Sequence, residues 1–183
     1  MTRPVRLLRR AVRMSRWLAG CALALAGAAP QAQTLGGIVT RVSDGDTLWL
    51  RPAPSPHERR PRPVKLRLLG LDAPERCQAW GDEATAALKA RVLGREVTVE
   101  RRATDDYGRG LVVLRLQDED IGAWLVAQGH AWSYGWRAHA GAYAAQERQA
   151  RSARRGLFAD ARAIEPRVFR KQHGPCDARR PRR

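Results

Sequence analysis

The chain has 183 residues, of which 44% are hydrophobic and 28% charged, and its net charge at pH 7 is +16. This length is enough for one domain of ordinary size with terminal extensions, and the apolar content excludes a wholly disordered protein. The strong positive charge favours a polyanion as partner, nucleic acid ahead of an anionic membrane surface.

The N-terminus has the pattern of a targeting segment. Six arginines lie between Arg3 and Arg16, and residues 17–29 form an apolar run that is short for a membrane span. Small residues follow, so we predict a secretory signal peptide over residues 1–32, with an uncleaved anchor as the alternative. The expected location is the periplasm or the medium, without stable membrane insertion once the signal is removed.

Removal of residues 1–32 leaves 28 basic and 18 acidic residues, a net charge of +10. Cys21 would leave with the signal, so Cys77 and Cys176 would remain. Two cysteines in an oxidising compartment can pair, and we predict this disulfide, with two free thiols as the alternative. Neither the number nor the spacing of the cysteines indicates zinc.

Alternating apolar residues and turn signals predict five strands and three helices. The strands are expected at residues 36–42, 47–50, 64–71, 96–102 and 111–116. The helices are expected at residues 82–93, 121–128 and 140–155, with Asp120 as the N-cap of the second. Short strands followed by helices favour an α+β fold, a small barrel with helices packed on it.

Three segments are predicted to lie between or after these elements. Asp44-Gly45 is a strong hairpin signal between the first two strands. Residues 51–63 hold five prolines and several arginines, which predicts a solvated basic loop. Residues 161–183 are basic and contain prolines, and we expect a disordered basic tail there.

Four carboxylates, those of Asp44, Asp46, Asp72 and Glu75, come from two turns at strand ends. Pro74 keeps Asp72 and Glu75 off a common helix turn, so both belong to a loop. Oxygen ligands without histidine or cysteine select a hard cation, Ca²⁺ or Mg²⁺. Taken alone, Asp-Gly-Asp is also an ordinary hairpin turn.

Two arginines stand out from the many in this chain. Arg67 lies within the apolar strand at residues 64–71, and Arg109 lies between two glycines. The planar guanidinium matches two phosphate oxygens, which the point charge of lysine does not. For either arginine alone, an ordinary surface position is the simpler interpretation.

Together, three runs are far more specific than any one of them. Residues 44–47 (Asp-Gly-Asp-Thr), 67–75 (Arg-Leu-Leu-Gly-Leu-Asp-Ala-Pro-Glu) and 105–110 (Asp-Asp-Tyr-Gly-Arg-Gly), in this order, resemble the staphylococcal nuclease family. The resemblance extends over about residues 36–158, which gives a predicted domain at 35–160. It implies an α+β fold, a five-stranded OB-fold β-barrel with about three packed helices. It also implies Ca²⁺-dependent hydrolysis of phosphodiester bonds in DNA and often RNA.

The resemblance implies a role for each residue of the three runs. Asp46 and Asp72 would be direct Ca²⁺ ligands, Ala73 would contribute its backbone carbonyl, and Asp44 would be a nearby acid outside the ligand set. Glu75 would be the general base or would position the attacking water. Arg67 and Arg109 would bind the phosphate, and Tyr107 would contact the nucleotide.

Three departures from the family pattern are visible. Ala73 stands where the family prototype has threonine, which a backbone ligand tolerates. Asp106 stands where a lysine often lies, which removes one phosphate contact, and the loop at residues 51–63 is longer than in the prototype.

Trp132, Tyr134 and Trp136 alternate after the second helix and offer stacking faces for bases, although core packing is the preferred interpretation for Trp132.

These observations predict a monomeric nuclease, exported from the cytoplasm, that cuts single-stranded or frayed nucleic acid by in-line attack of water. The main alternative is an OB-fold module that binds nucleic acid without cleaving it. The presence of Arg67, Glu75 and Arg109 favours the enzyme, because binding alone needs no general base. A weaker alternative is a basic protein that coats anionic surfaces through its tail.

Overall fold

The structure is a computed structural model that describes residues 33–56, 58–135, 140–174 and 176. The predicted signal peptide, Trp136 and the end of the basic tail lie outside these residues, so what was predicted of them stays a prediction. Within the described residues, no helix is long and apolar enough to span a membrane.

Eight strands are present in the described residues. They are β1 (Gln33–Asp44), β2 (Thr47–Pro52), β3 (Val64–Leu68), β4 (Leu71–Asp72), β5 (Glu96–Thr104), β6 (Gly110–Leu116), β7 (Glu119–Asp120) and β8 (Trp132–Ser133). All five predicted strands occur, but the third is shorter than expected. The chain turns at Gly70, whose φ of +82° favours glycine, and this turn separates β3 from β4.

Five strands close into a barrel. β3, β2, β1, β5 and β6 pair in that order, each antiparallel to the next, and β3 then pairs with β6 in parallel. The closing register places Leu66 beside Gly110 and Arg67 beside Leu111. This is the predicted α+β architecture, an OB-type barrel with helices around it.

Alternation along the strands fills the barrel. Val97 and Val99 of β5 and Val112 and Leu114 of β6 point inward and are buried, whereas their neighbours along the strands are exposed or partly exposed. This is the period-2 pattern of a sheet with one face on the core. Each fully buried aliphatic side chain of this size contributes about 1.5–3 kcal/mol, so the barrel is a rigid base for the loops at its ends.

Within the part of the chain that the structure describes, four α-helices lie outside the barrel. They are α1 (Gly81–Val92), α2 (Ile121–Ala127), α3 (Ala144–Ser152) and α4 (Pro166–His173), and a 3₁₀ turn lies at Gly156–Ala159. α1 and α2 begin within one residue of the predicted positions. The Asp120 carboxylate accepts the backbone N–H of Ala123 at 3.1 Å, which confirms the predicted N-cap.

Two predictions on the C-terminal half were wrong. The third helix is shorter than the predicted 140–155, because the backbone N–H of Tyr143 donates to Ser133 Oγ (3.1 Å) instead of entering a helix. The segment after residue 160 is not a disordered tail throughout, since residues 166–173 form α4. Pro166 at its first turn and Gly174 at its end, with φ +74°, delimit this helix.

A disulfide joins Cys77, in the loop before α1, to Cys176, just after α4, with a Cα–Cα distance of 5.8 Å. This agrees with the predicted pairing. Since Cys77 follows Glu75 by two residues, the bond attaches the C-terminal extension to the loop that carries the predicted general base.

Candidate active site

The first acidic turn joins β1 to β2 at one end of the barrel. Gly45 is needed there because a Cβ at this position would lie 2.7 Å from the Ala73 Cβ and 2.9 Å from the Ala84 Cβ. This close approach presses the turn against the loop that follows β4. The Asp44 carboxylate accepts the backbone N–H of Asp46 at 3.2 Å and so orders the turn from outside.

The second acidic turn begins at β4. Asp72 lies in that short strand and is buried, and Ala73 follows it. The backbone N–H of Ala73 donates to Asp46 Oδ2 at 3.3 Å, which links the two turns. The predicted ligand residues Asp46, Asp72 and Ala73 therefore come together although 26 positions separate the two acids.

Arg67 bridges the two buried acids. Its Nη1 donates to Asp46 Oδ1 at 3.0 Å, and its Nη2 lies 2.8 Å from Asp46 Oδ2 and 2.8 Å from Asp72 Oδ1. Both carboxylate side chains are only 5% exposed. The arginine in the apolar strand β3 therefore pairs with two buried carboxylates, which would be costly to bury without a partner.

The electrostatics of this cluster make the Asp46 carboxylate harder to ionise than a free one. Burial is the largest effect, and with the nearby Asp44 and Asp72 carboxylates it outweighs Arg67 and raises the pKa of Asp46 to about 7. For Arg67, burial opposes the charged guanidinium, but Asp46 and Asp72 outweigh this effect and raise its pKa. The cluster therefore holds more negative charge than Arg67 alone offsets.

Arg170, which the sequence analysis did not single out, supplies a second guanidinium. It reaches from α4 to Asp72, with Nη2–Oδ2 at 2.9 Å and Nη1–Oδ1 at 3.3 Å, and its Nη1 donates to Glu75 Oε1 at 2.8 Å. Desolvation alone would lower the pKa of Arg170, but hydrogen bonds and charge from Asp72 and Glu75 outweigh it and raise that pKa. No short-range sequence signal predicts a contact across 98 positions.

Gln78 is a second residue that the sequence analysis missed. Its side chain accepts the backbone N–H of Glu75 at 3.2 Å and donates to the carbonyl of Ile164 at 2.8 Å. It is buried, and it connects the Glu75 loop with the segment before α4. Gln78 thereby positions Glu75 without touching its carboxylate.

The third run forms the turn between β5 and β6. Asp105 accepts the backbone N–H groups of Tyr107 (3.0 Å) and Arg109 (2.9 Å), and the Arg109 Nε lies 2.6 Å from Asp105 Oδ2. Desolvation is the largest single effect on Asp105 and raises its pKa, but the hydrogen bonds and charge of Arg109 and the hydrogen bond from Tyr107 together outweigh it and lower the pKa. The Nη atoms of Arg109 donate to no other described residue, so they remain available for a ligand.

A cleft of about 250 Å³ lies between Asp72, the third run and α4, and neither Asp46 nor Glu75 lines it. Its charged and aromatic lining residues are Arg67, Asp72, Asp105, Asp106, Tyr107, Arg109, Tyr134 and Arg170. Tyr107 is 84% exposed and lies on the Arg109 guanidinium, 5.3 Å from centroid to Cζ. Both predicted phosphate-binding arginines thus open onto one cleft, although Arg67 is turned to the carboxylates.

Of the aromatic residues after α2, Trp132 and Tyr134 lie in different surroundings, and the core position preferred for Trp132 is confirmed. Trp132 is buried and packs edge-on against Phe158, with centroids 5.7 Å apart, so it belongs to the core. Tyr134 is 39% exposed and lines the cleft, where its ring is accessible to a ligand.

Oxygen donors dominate the candidate cation site. Among the described residues, no group of three or more histidine, cysteine or acidic side chains is arranged as a metal site. The donor set nevertheless fits a hard cation, because one point, now held by the Arg67 Nη2, lies 2.8 Å from a carboxylate oxygen of both Asp46 and Asp72. A cation would have to displace guanidinium groups to reach these oxygens.

The fold and the cleft together define an OB-barrel protein with an acidic and arginine-rich site suited to phosphate groups. Residues 65–160 match the family model described as staphylococcal nuclease homologue. The match includes two of the three runs and three of the five barrel strands, β3, β5 and β6. The chain belongs to the staphylococcal nuclease family.

Relatives among known proteins agree with this assignment. Protein ParB of Escherichia coli is 36% identical over 175 residues, which cover 90% of this chain and 94% of the relative. An uncharacterized endonuclease of Haemophilus influenzae is 34% identical over 134 residues, 73% of this chain and 72% of the relative. A micrococcal nuclease of Shigella flexneri is 33% identical over 147 residues, 74% of this chain and 80% of the relative.

Proposed function

We propose that this protein is a Ca²⁺-dependent nuclease that hydrolyses phosphodiester bonds of DNA and RNA. The observation that carries the proposal is the meeting of Asp46, Asp72 and Arg67 beside the cleft that holds Arg109. Family membership and relatives named endonuclease and micrococcal nuclease support the reaction class. A binding module without catalysis would not need a partly exposed carboxylate such as Glu75 at this position.

The cation would be held by Asp46, Asp72 and the carbonyl of Ala73, with Asp44 ordering the turn from outside the ligand set. When bound, it would supply positive charge beside the phosphate and offset the negative charge that develops during attack. Oxygen-only donors select Ca²⁺ or Mg²⁺ over transition metals. Within that pair, the Ca²⁺ assignment follows from family membership.

The chain's own residues would carry out the remaining steps. Glu75 accepts the proton of the attacking water, since its side chain is 25% exposed, against 5% for Asp46 and Asp72. Arg109 lines the cleft with its Nη groups unbonded to any described residue, and it stabilises the charge on the phosphate. Arg67 joins it once the carboxylates are neutralised by the cation, and Tyr107 contacts the nucleotide.

The proposed setting is the periplasm or the medium, with the protein acting as a monomer. The signal-like residues 1–32 and the disulfide between Cys77 and Cys176 support export. The site is built from one chain, so catalysis requires no second copy.

The decisive experiment incubates the purified protein with plasmid and single-stranded DNA in Ca²⁺, in Mg²⁺ and in chelator. We expect cleavage with Ca²⁺ and none with chelator. Undiminished cleavage in excess chelator would reject the cation. Binding without cleavage under every metal condition would establish the non-catalytic module instead.

A further inference from the structure

Arg170 enters the active site from outside the part of the chain that matches the family model. That match ends at residue 160, whereas Arg170 lies on α4, beyond this boundary. Its guanidinium nevertheless lines the same cleft as Arg67 and Arg109. The contact therefore comes from a helix that lies outside the residues matched by the family model.

The contacts of Arg170 fall on the oxygens that a cation would need. A carboxylate offers about four lone-pair positions, and three contacts already occupy Asp72. One comes from Arg67 at 2.8 Å and two from Arg170 at 2.9 and 3.3 Å. A cation on Asp72 would compete with Arg170 for these oxygens, because both carry positive charge and both need the same few lone pairs.

The structure also keeps Arg170 in place. The disulfide fixes the chain just after α4 to Cys77, and the side chain of Gln78 donates to the carbonyl of Ile164 just before α4 (2.8 Å). Pro166 at the start of the helix is buried. A side chain tethered at both ends of its helix has a high effective concentration at its binding partner.

We propose that Arg170 is an intramolecular competitor of the divalent cation and sets the cation concentration at which the site fills. This inference rests on the proposed cation site at Asp46 and Asp72. Without a cation, Arg170 neutralises Asp72 and Glu75 and so stabilises the fold. When a cation binds, Arg170 leaves Asp72 and frees Glu75 to act as base.

The first test measures Ca²⁺ binding by calorimetry in the absence of nucleic acid. It compares the wild type with Arg170→Gln and with Arg167→Gln, which removes the same charge from an exposed position on the same helix. We expect Arg170→Gln to bind Ca²⁺ on the order of tenfold more tightly, the value of about one hydrogen bond to a charged group. Arg167→Gln should stay close to wild type, since its loss acts only through screened charge.

Each outcome of this titration has one meaning. Tighter binding by Arg170→Gln alone, or binding by that variant only, supports the competitor. Equal affinity of the two variants, or weaker binding by Arg170→Gln, overturns it and leaves the cation site standing. No Ca²⁺ binding by any of the three proteins overturns the cation site itself, and this inference with it.

The second test separates competition from a purely structural role by thermal unfolding in chelator and in saturating Ca²⁺. In chelator, Arg170→Gln should melt below Arg167→Gln, because Asp72 and Glu75 lose a partner. In Ca²⁺ the gap should close, because Arg170 has then left Asp72 in the wild type as well. A gap that is unchanged by Ca²⁺ would show that Arg170 only braces the fold and would overturn the proposal.

Discussion

Glu75 has one carboxylate oxygen, Oε2, that accepts no hydrogen bond from a described residue, whereas both oxygens of Asp46 and of Asp72 accept at least one. We predict that Glu75→Gln lowers turnover by about 10²–10⁴-fold, the usual cost of losing a general base. Binding of nucleic acid should persist, because the basic surface is unchanged. Single-turnover cleavage and a binding assay on the same DNA test this.

The matched control for this change is Glu83→Gln, an exposed glutamate in the first turn of α1. It should cleave like wild type. Equal turnover of Glu75→Gln and Glu83→Gln would contradict the assignment of the base.

Arg109 is expected to act through the shape of its guanidinium and not through its charge alone. Asp105 holds its Nε, and this leaves the two Nη groups as a fork for phosphate oxygens. We predict that Arg109→Lys lowers turnover on the order of 10²-fold, the typical cost of one lost donor to a developing charge. Arg102→Lys, an exposed arginine of β5, is the control, and equal losses in both variants would argue against a special role.

Asp72 and Asp44 are predicted to differ in their effect on the cation. Asp72→Asn removes a direct charged ligand and should weaken Ca²⁺ binding by about tenfold or more. Asp44→Asn changes only a residue that orders the turn through the Asp46 backbone, so its effect should be smaller. Calorimetric titration of both variants checks the order, and a larger loss for Asp44→Asn would contradict the ligand assignment.

At the scale of elements, the sequence predicts those parts of the fold that short-range signals control. Asp44-Gly45 places the first hairpin, and the alternation of Val97 and Val99 places β5. The helix α4 also carries local signals, Pro166 at its start and Gly174 at its end. The prediction gave more weight to basic composition than to these signals, and it therefore missed the helix.

His130, which follows α2, should make the free energy of unfolding depend on pH. His130 accepts a hydrogen bond from Trp80 Nε1 at 3.3 Å and lies between the rings of Trp80 and Trp124, at centroid distances of 6.3 and 5.9 Å. Burial lowers its pKa below the ordinary value of 6.5. The folded state thus keeps the neutral imidazole while the unfolded chain takes up a proton, so stability falls as pH drops below 6.5.

We therefore expect the wild type to lose more unfolding free energy than His130→Gln between about pH 7.5 and about pH 5.5. Glutamine can accept the Trp80 hydrogen bond but cannot be protonated in this range. Urea unfolding of both proteins at the two pH values measures the difference. Parallel losses in the two proteins would show that other groups control the pH dependence.

At the scale of the whole molecule, barrel closure explains why three distant runs form one site. The parallel pairing of β3 with β6 sets Arg67 beside Leu111, next to the turn that carries Arg109. The three runs and their order resemble the staphylococcal nuclease family, and that resemblance predicted that they form one site. The contacts of Arg170 were beyond prediction, because they depend on how a helix outside the barrel packs, and no residue pattern near Asp72 specifies a partner 98 positions away.

The disulfide also links two distant parts of the chain. Cys77 and Cys176 are 99 positions apart, so the bond restricts most of the unfolded chain. We predict that replacing both cysteines by serine lowers the free energy of unfolding by about 2–4 kcal/mol. Urea unfolding of the two forms measures this, and wild type treated with reductant should behave like the double variant.

Thiol titration provides the chemical control for this experiment. Protein that lacks residues 1–32, and with them Cys21, should show no free thiol when it is unfolded without reductant. Two free thiols in exported protein would contradict the bond. Equal urea midpoints of the wild type and the double variant would instead show that packing of α4, and not the covalent link, holds the C-terminal extension on the Glu75 loop.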